Sequence, residues 1–342
     1  MKRVEEARRL VLRGLGFGRE APGKLIFTSG GTEANNLAIL GAAYAKEKRG
    51  RILISEGEHA SAENCAAMLE ADGFEVVRIP TAGGKLDIDA IRAQKNVAVA
   101  SFMMVNNETG AVYDIAAAAK VVRENSPSAF IHTDAVQGFM KLRFTPERLG
   151  VNAVSISSHK LGGLKGVGAL YVDKDSLKQK KLTPRMIGGG QEDSLRSGTE
   201  NVPGIVGFGE AVREAMETFS ERAERTASLR AFLEASLSDT ELRLNIPETP
   251  LPNILSVTVP GVKSETVLNH MNERGFCISA GSACSSHGHG MSMALTGFGI
   301  TAADADSTVR ISLSHHNTED EITALAASLK DALTLGGLKN HR

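Results

Sequence analysis

Ala129-Phe130-Ile131-His132-Thr133-Asp134-Ala135-Val136-Gln137 is a short apolar run that ends in polar, chemistry-bearing residues, and Ala153-Val154-Ser155-Ile156-Ser157-Ser158-His159-Lys160 repeats that design further along the chain. β-branched and aromatic residues over four or five positions, closed by a polar turn, predict buried strands over 130–133 and 153–157. A strand that delivers functional groups at its carboxyl end is the hallmark of open α/β sheets, whose ligands bind at that edge.

The same alternation extends outward from these two runs. Further strands are predicted over 25–27, 51–55, 75–79, 97–104 and 168–172. Helices over 34–48, 61–72, 87–95 and 114–125 fall between them. An amphipathic segment, 4–15, comes first and places Val4, Ala7, Val11 and Leu15 on one face. The pattern predicts an α/β fold with a mostly parallel sheet and helices on both faces. A long helical stretch over 205–237 follows. A strand at 254–259, a helix at 265–273, a strand at 309–313 and a closing helix at 318–333 then predict a smaller α+β domain. The expected division is a large domain over 1–209 and a small C-terminal domain over 210–342, with no Pro/Ser-rich linker between them.

With 342 residues the chain can bury a large core, and a net charge of −1 gives no electrostatic reason to bind nucleic acid or an anionic membrane. Glycine is abundant (35) and tryptophan absent, which suits many tight strand-to-helix turns. Three cysteines, Cys65, Cys277 and Cys284, are too few and too scattered for a disulfide framework or a cysteine-rich zinc site, so a reducing cytoplasm is the expected compartment. The first residues, Met1-Lys2-Arg3-Val4-Glu5-Glu6, lack an apolar signal region. No stretch approaches the roughly 20 apolar residues that span a bilayer.

Several motifs sit where the predicted strands end. Thr28-Ser29-Gly30-Gly31-Thr32-Glu33 opens a helix and offers backbone N–H groups and hydroxyls to an anion; it is equally a plain Gly-rich turn. It matches neither the nucleotide P-loop nor the dinucleotide fingerprint. His59, in Glu58-His59-Ala60-Ser61, could stack on an aromatic ring and relay protons as a catalytic residue, or be structural. Asn107, in Asn106-Asn107-Glu108-Thr109-Gly110, could donate to a ligand oxygen or merely mark a turn. Asp134 and Gln137 could face a cofactor ring, or Asp134 could cap a helix. Arg196-Ser197-Gly198-Thr199 reads as a loop ending in a hydroxyl donor. Arg310, between apolar Val309 and Ile311, is either a carboxylate clamp or an edge-strand arginine. Lys160 is a candidate Schiff-base amine and Asp134 a candidate partner for a pyridinium nitrogen; together they describe the two ends of a pyridoxal phosphate ring.

The cysteines divide. Cys284, in Ala280-Gly281-Ser282-Ala283-Cys284-Ser285-Ser286, falls in a small, polar stretch where a thiol is expected to be exposed, and an exposed thiol is reactive when its pKa is lowered or it is delivered to an electrophile. Cys277, in Phe276-Cys277-Ile278, reads as a packed core residue, as does Cys65 in its helix. Cys284-x-x-His287-x-His289 offers three ligands on one loop without a strong fourth, so no metal site is assigned.

Taken in order, Thr-Ser-Gly-Gly-Thr-Glu, Glu-His, Asn-Asn-Glu-Thr-Gly, Asp-Ala-Val-Gln, Ser-x-His-Lys, Arg-Ser-Gly-Thr, Gly-Ser-Ala-Cys and Arg-x-Ser-Leu resemble the cysteine desulfurases of the class V aminotransferase family. The resemblance covers nearly the whole chain, and Gly-Ser-Ala-Cys points to desulfurases over aminotransferases. It implies a type I pyridoxal phosphate-dependent transferase fold and a homodimer that converts L-cysteine to L-alanine. The sulfur would pass through a Cys284 persulfide to an acceptor protein, such as an iron–sulfur scaffold or thiolation enzyme. The alternative it leaves is a related lyase acting on selenocysteine or cysteine sulfinate, or an aminotransferase. By resemblance, Lys160 holds the pyridoxal 5'-phosphate covalently and later removes the substrate α-proton. Asp134 pairs with the ring nitrogen, Gln137 bonds the ring hydroxyl side and His59 stacks on the ring. Thr32, Ser157 and His159 hold the phosphate, with Thr199 reaching across from a second subunit. Asn107 contacts the substrate carboxylate or a ring oxygen, and Arg310 clamps the carboxylate. The family's usual Asp-Asn-Ala-Ala-Thr-Thr-type strand and Asn-Pro-Ser-type segment do not precede the first helix here, so a part that lines the substrate pocket is expected to be missing from this sequence.

Overall fold

The computed structural model describes residues 2–18, 20–45, 50–281 and 292–339. The chain divides into two compact units. The first comprises 1–80, 86–105 and 113–219; the second comprises 81–85, 106–112 and 220–342. Two short internal pieces, one of them the Asn106–Gly110 turn, thus belong with the C-terminal part of the chain.

The first unit holds strands β1 (Gly23–Thr28), β2 (Arg51–Ser55), β3 (Val76–Ile79), β4 (Val97–Met103), β5 (Phe130–Asp134), β6 (Ala153–Ser157) and β7 (Gly168–Asp173). Its helices are α1 (Lys2–Gly14), α2 (Gly31–Tyr44), α3 (Ala60–Ala71), α4 (Ile88–Arg92), α5 (Ile115–Asn125), α6 (Pro146–Leu149), α7 (Lys174–Lys178) and α8 (Val202–Glu217). The strands form one sheet in the order β1-β7-β6-β5-β4-β2-β3. The run from β6 to β3 is parallel, as the sequence predicts, whereas β7 is antiparallel to both β6 and β1. The reason lies in the connections. A parallel neighbour needs a crossover of a dozen or more residues. The ten residues 158–167 between β6 and β7 are too few, so the chain turns back on itself there.

Every residue of β4, β5 and β6 is buried, which explains their continuous apolar character. Helix α2 packs across β4 to β7 and buries nine of its residues. Each fully buried Ile or Leu of this layer contributes about 1.5–3 kcal/mol of apolar burial. One polar stripe crosses it: His132 bonds Ser101 Oγ through Nδ1 and Ser155 Oγ through Nε2, both at 2.8 Å. Burial pushes this imidazole down to about 3, so it is neutral and purely structural. The α1 face of Val4, Ala7, Val11 and Leu15 is buried and lies against α8.

The second unit contains α9 (Phe219–Leu237), β8 (Arg243–Asn245), β9 (Ile254–Thr258), α10 (Ser264–Glu273), β10 (Ser279–Ala280), α11 (Met293–Phe298), α12 (Ala302–Ala305), β11 (Thr308–Ser312) and α13 (Glu319–Leu333). Its antiparallel sheet has the order β10-β11-β9-β8. Leu229, Leu233 and Leu237 of α9 join Val257, Val309, Ile311 and Leu329 in its core. The single helical stretch predicted over 205–237 is two helices. Thr218 interrupts it, its hydroxyl donating to Glu214 O at 2.8 Å to close the end of α8.

Candidate active site

The carboxyl ends of β2, β4, β5 and β6 lie along one edge of the first unit's sheet, and the β1 end joins them because Thr28 and Ser157 both pair with Gly168. That register places the Ser29–Thr32 turn beside the Ser157–Lys160 turn. The approach is close: a Cβ on Gly168 would lie 2.8 Å from Gly30 Cα and 2.7 Å from Ile156 O. Only glycine admits it.

Beyond β6 the chain makes a short helical turn over Ser158–Leu161, ended by Gly162 in the left-handed region (φ 94°). Ser157 is buried, His159 exposed and Lys160 half-buried. Ser157 Oγ and His159 Nδ1 are 2.9 Å apart. Burial, followed by the ammonium fields of Lys160, Lys165 and Lys141, holds the His159 imidazole below its ordinary range. Three lysines therefore act on one point. Across from them, α2 begins with no side-chain cap on its N-terminus, and Ser29, Gly30, Gly31, Thr32, His159, Lys165 and Gly166 line a cavity of about 320 Å³. Helix N–H groups, a neutral imidazole and flanking ammonium groups are the ingredients of a phosphate cradle. Glu33 does not oppose it: although burial works the other way, hydrogen bonds from Arg196 and Ser29 hold that carboxyl below its usual range and keep it turned to them.

Asp134 ends β5 and is buried. Its Oδ2 accepts from Asn35 Nδ2 at 2.6 Å and its Oδ1 from Val136 N at 2.9 Å, the second bond shaping a turn rather than capping a helix. Asn35 Nδ2 also donates to Ser61 Oγ (2.9 Å), which lies 2.8 Å from His59 Nδ1. His59 caps α3, its Nδ1 accepting from Ser61 N, so in the neutral ring the proton sits on Nε2. A continuous chain thus joins Asp134, Asn35, Ser61 and His59. Burial raises the Asp134 carboxyl despite these donors and despite the fields of His59 and Lys160. A buried acid in this condition is stabilised as a carboxylate by a close cationic N–H donor, which a pyridinium ring supplies. Asn35 was not singled out in the sequence. Its signal was available: an amide on the most apolar helix, with Ala38 and Ile39 on the same face at i+3 and i+4.

Glu58, next to His59, is buried too. Its Oε1 accepts from Met103 N at 2.6 Å and from the Ser55 hydroxyl, while Oε2 has no hydrogen-bond partner among the described residues. Burial, with the field of Asp134 added and the Ser55 bond opposing, pushes this carboxyl up to about 8. It is a neutral acid at neutral pH, and so adds no second negative charge beside Asp134.

The remaining expected residues fall as follows. Gln137 is half-buried, its Oε1 accepting from Lys141 Nζ at 3.1 Å. Thr32 is exposed and also lines a cavity of about 450 Å³ with His59, Ser61 and Cys65. Thr199 is exposed and borders a separate cavity of about 240 Å³ with Thr28, Ser29, Arg196 and Asn201. Asn107 and Arg310 belong to the second unit, where Arg310 Nη1 donates to Asn107 O (3.0 Å) and Nη2 to Ser279 Oγ (3.1 Å). Its Nε is buried without a partner among the described residues. Strand β11 lies between β10 and β9, so Arg310 is not an edge-strand arginine.

Cys284 lies outside the described residues. Cys65 is buried, as expected, and burial pushes its thiol up to about 12. Cys277 corrects the sequence reading, because it is exposed. Phe276 and Ile278 pack against the core of the second unit, and side chains alternate along an extended segment, so the residue between them turns to solvent. No group of three or more His, Cys, Asp or Glu residues suited to a metal ion occurs among the described residues. No helix among them is long and apolar enough to cross a membrane.

Comparison with known proteins agrees with this geometry. The family described as "Aminotransferase class-V" matches residues 1–325. The chain is 35% identical over 326 residues to the cysteine desulfurase IscS of Dictyoglomus turgidum, covering 93% of this chain and 80% of that protein. Among solved structures it is similar to a NifS-like protein (TM-score 0.88, 32% identity, covering 98% of this chain and 88% of that one). It is also similar to SspA in complex with cysteine (TM-score 0.78, 33% identity, covering 93% of this chain and 88% of that one). Fold, motif order and similarity over nearly the whole length agree: the chain belongs to the class V aminotransferase family and has its relatives among the cysteine desulfurases.

Proposed function

We propose that this protein is a pyridoxal phosphate-dependent cysteine desulfurase that takes sulfur from L-cysteine, releases L-alanine and carries the sulfur as a persulfide on Cys284. The observation that carries this reading is the meeting, at one sheet edge, of Lys160, the buried Asp134 with its Asn35 donor, and the uncapped α2 N-terminus facing His159 and Lys165. When bound, the cofactor supplies an electron sink for bonds broken at the substrate Cα and Cβ. Lys160 Nζ would anchor it covalently and serve as the base for the substrate α-proton. Asp134 would pair with the ring nitrogen, Gln137 would bond on the ring hydroxyl side and His59 would stack on the ring. Thr32, Ser157 and His159 would hold the phosphate. Arg310, with Asn107 beside it, presents a guanidinium to the substrate carboxylate. Cys284 Sγ, as thiolate, forms a bond to the substrate sulfur while the substrate Cβ–S bond breaks. The electron pair stays with the carbon fragment, which takes up protons and leaves as alanine.

The working form in this reading is a homodimer in which Thr199 completes the partner's phosphate site. Exposed Leu164, Met186, Ile187 and Val202 lie on segments adjoining Thr199 and support it. The persulfide then passes to an acceptor protein for iron–sulfur cluster assembly or thiolation. Cys65 and Cys277, both free thiols, are compatible with a cytoplasmic home. The test incubates purified protein with pyridoxal phosphate and L-cysteine and measures alanine and persulfide. Equimolar alanine and protein-bound sulfur, lost in Cys284→Ala and Lys160→Ala, is the expected result. A folded, cofactor-loaded protein that makes no alanine overturns the reading.

A further inference from the structure

We infer that Glu58 is a positioning residue that completes a closed ring of bonds through Asp134 and His59, and so fixes the spacing of the two groups assigned to the cofactor ring. The geometry stands on its own; its consequence for the cofactor rests on the pyridoxal phosphate reading.

The ring of bonds begins where a strand ends early. Strand β2 pairs with β4 as far as Ile54 and Ser101, while β4 runs on to Met103. Successive backbone N–H groups of a strand point to opposite sides. Met104 N donates to Asp134 O at 2.8 Å on the β5 side, so Met103 N faces the side that β2 has left. A buried N–H needs an acceptor there. Gly57, in the left-handed region (φ 75°), turns the chain after β2. Glu58 then comes back under the end of β4, where its Oε1 accepts from Met103 N at 2.6 Å. The hydroxyl of Ser55, the last residue of β2, donates to the same oxygen. One carboxyl oxygen thus takes the place of the missing strand and ties the ends of β2 and β4 together.

From β4 the bonds run through both cofactor-facing residues. Met103 pairs with Asp134 across β4 and β5. Asp134 Oδ2 accepts from Asn35 Nδ2, which also donates to Ser61 Oγ, and Ser61 Oγ lies 2.8 Å from His59 Nδ1. His59 follows Glu58 in the chain, and the ring is closed. Two routes therefore join Asp134 to His59, one through Asn35 and Ser61 and one through Met103 and Glu58. A group held by one attachment can pivot about it; a second fixes its angle as well as its distance. Burial, with the field of Asp134 added and the Ser55 bond opposing, keeps the Glu58 carboxyl protonated at neutral pH. Glu58 therefore braces Asp134 without competing for the cation assigned to it. Groups already set at a ligand's edge and face need no further ordering when it binds, which strengthens binding without adding a contact.

The test uses the whole chain at pH 7 with Glu58→Ala, Glu58→Gln and Ser55→Ala. Two readouts are taken: amide hydrogen exchange at Met103 and Met104 in the cofactor-free protein, and affinity for pyridoxal phosphate by visible absorbance titration. Glu58→Ala is expected to exchange faster at both amides and to bind pyridoxal phosphate on the order of tenfold more weakly. Glu58→Gln, whose Oε1 still accepts from Met103 N, stays within about threefold of the parent on both. Ser55→Ala keeps the carboxyl and removes one of its two donors, so it falls between them. It decides the matter if Glu58→Ala does not fold, and parent-like values on both readouts then overturn the inference. Parent-like affinity in a folded Glu58→Ala overturns it even where the melting temperature falls, because that leaves a structural role alone. A Glu58→Gln as weak as Glu58→Ala overturns it too, since the acceptor is then not what matters. If the parent binds no pyridoxal phosphate, the cofactor reading falls and amide exchange alone decides: faster exchange in Glu58→Ala sustains the brace, and unchanged exchange overturns it.

Discussion

Replacing Glu58 with glutamine tests whether a neutral acid sits beside Asp134. The wild-type carboxyl is pushed from 4.5 up to about 8, chiefly by burial. Below pH 4.5 the folded and unfolded states are both protonated there, and the site is neutral in its effect. Between pH 4.5 and 8 the unfolded chain releases the proton while the folded chain retains it. The folding constant then falls about tenfold per pH unit, a loss of about 5 kcal/mol by pH 8, and it levels off above. Glutamine keeps the Oε1 acceptor for Met103 N and puts N–H where the acid carries its proton, without any titration. The variant is therefore expected to gain on the wild type steadily from pH 5 to pH 8. Urea unfolding followed by circular dichroism at pH 5, 6, 7 and 8, with the two proteins compared at each pH, measures it. A difference that stays flat over this range, or that runs the other way, refutes the neutral-acid assignment.

Two further outcomes follow from the same edge of the sheet. Asn35→Leu removes the donor shared by Asp134 Oδ2 and Ser61 Oγ, a loss of about 1–3 kcal/mol for buried polar partners, so pyridoxal phosphate is expected to bind roughly ten- to a hundredfold more weakly by visible absorbance after dialysis. Gly168→Ala forces a Cβ into Gly30 and Ile156 O, so at least about 1–3 kcal/mol of stability and the parent cofactor spectrum are expected to be lost together in thermal melts and absorbance scans; unchanged values would deny the close approach of β1 and β6 turns.

The elements that position the site were largely readable before the structure. Residues 51–55 and 153–157 are the strands expected, because central strands of a covered sheet are continuously apolar. Direction was less readable: β7 looks like its neighbours in composition, and only the ten-residue connection marks it as antiparallel. Cys277 shows a different gap. Apolar flanks suggest a core residue, but in extended chain those flanks face inward only if the residue between them faces out. Thr218, the C-cap of α8 at φ −108°, ends one helix immediately before the next begins at Phe219, a break that periodicity does not register.

By itself the sequence determined the chemistry available and its order: Lys160, Asp134, His59, the Gly30-Gly31 turn and the Cys284 loop, each following a strand or opening a helix. Those are local properties, set by residue type and spacing of a few positions. Only the tertiary structure decided which groups work on one another and in what charge state. Asn35 and Asp134 are 99 positions apart, and Glu58 and Met103 45. Glu58 is a neutral acid because β4, α3 and Asp134 surround it, and burial raises the Asp134 carboxyl in the same way. Desolvation is a sum over every segment packed around a group, so no window of sequence contains it.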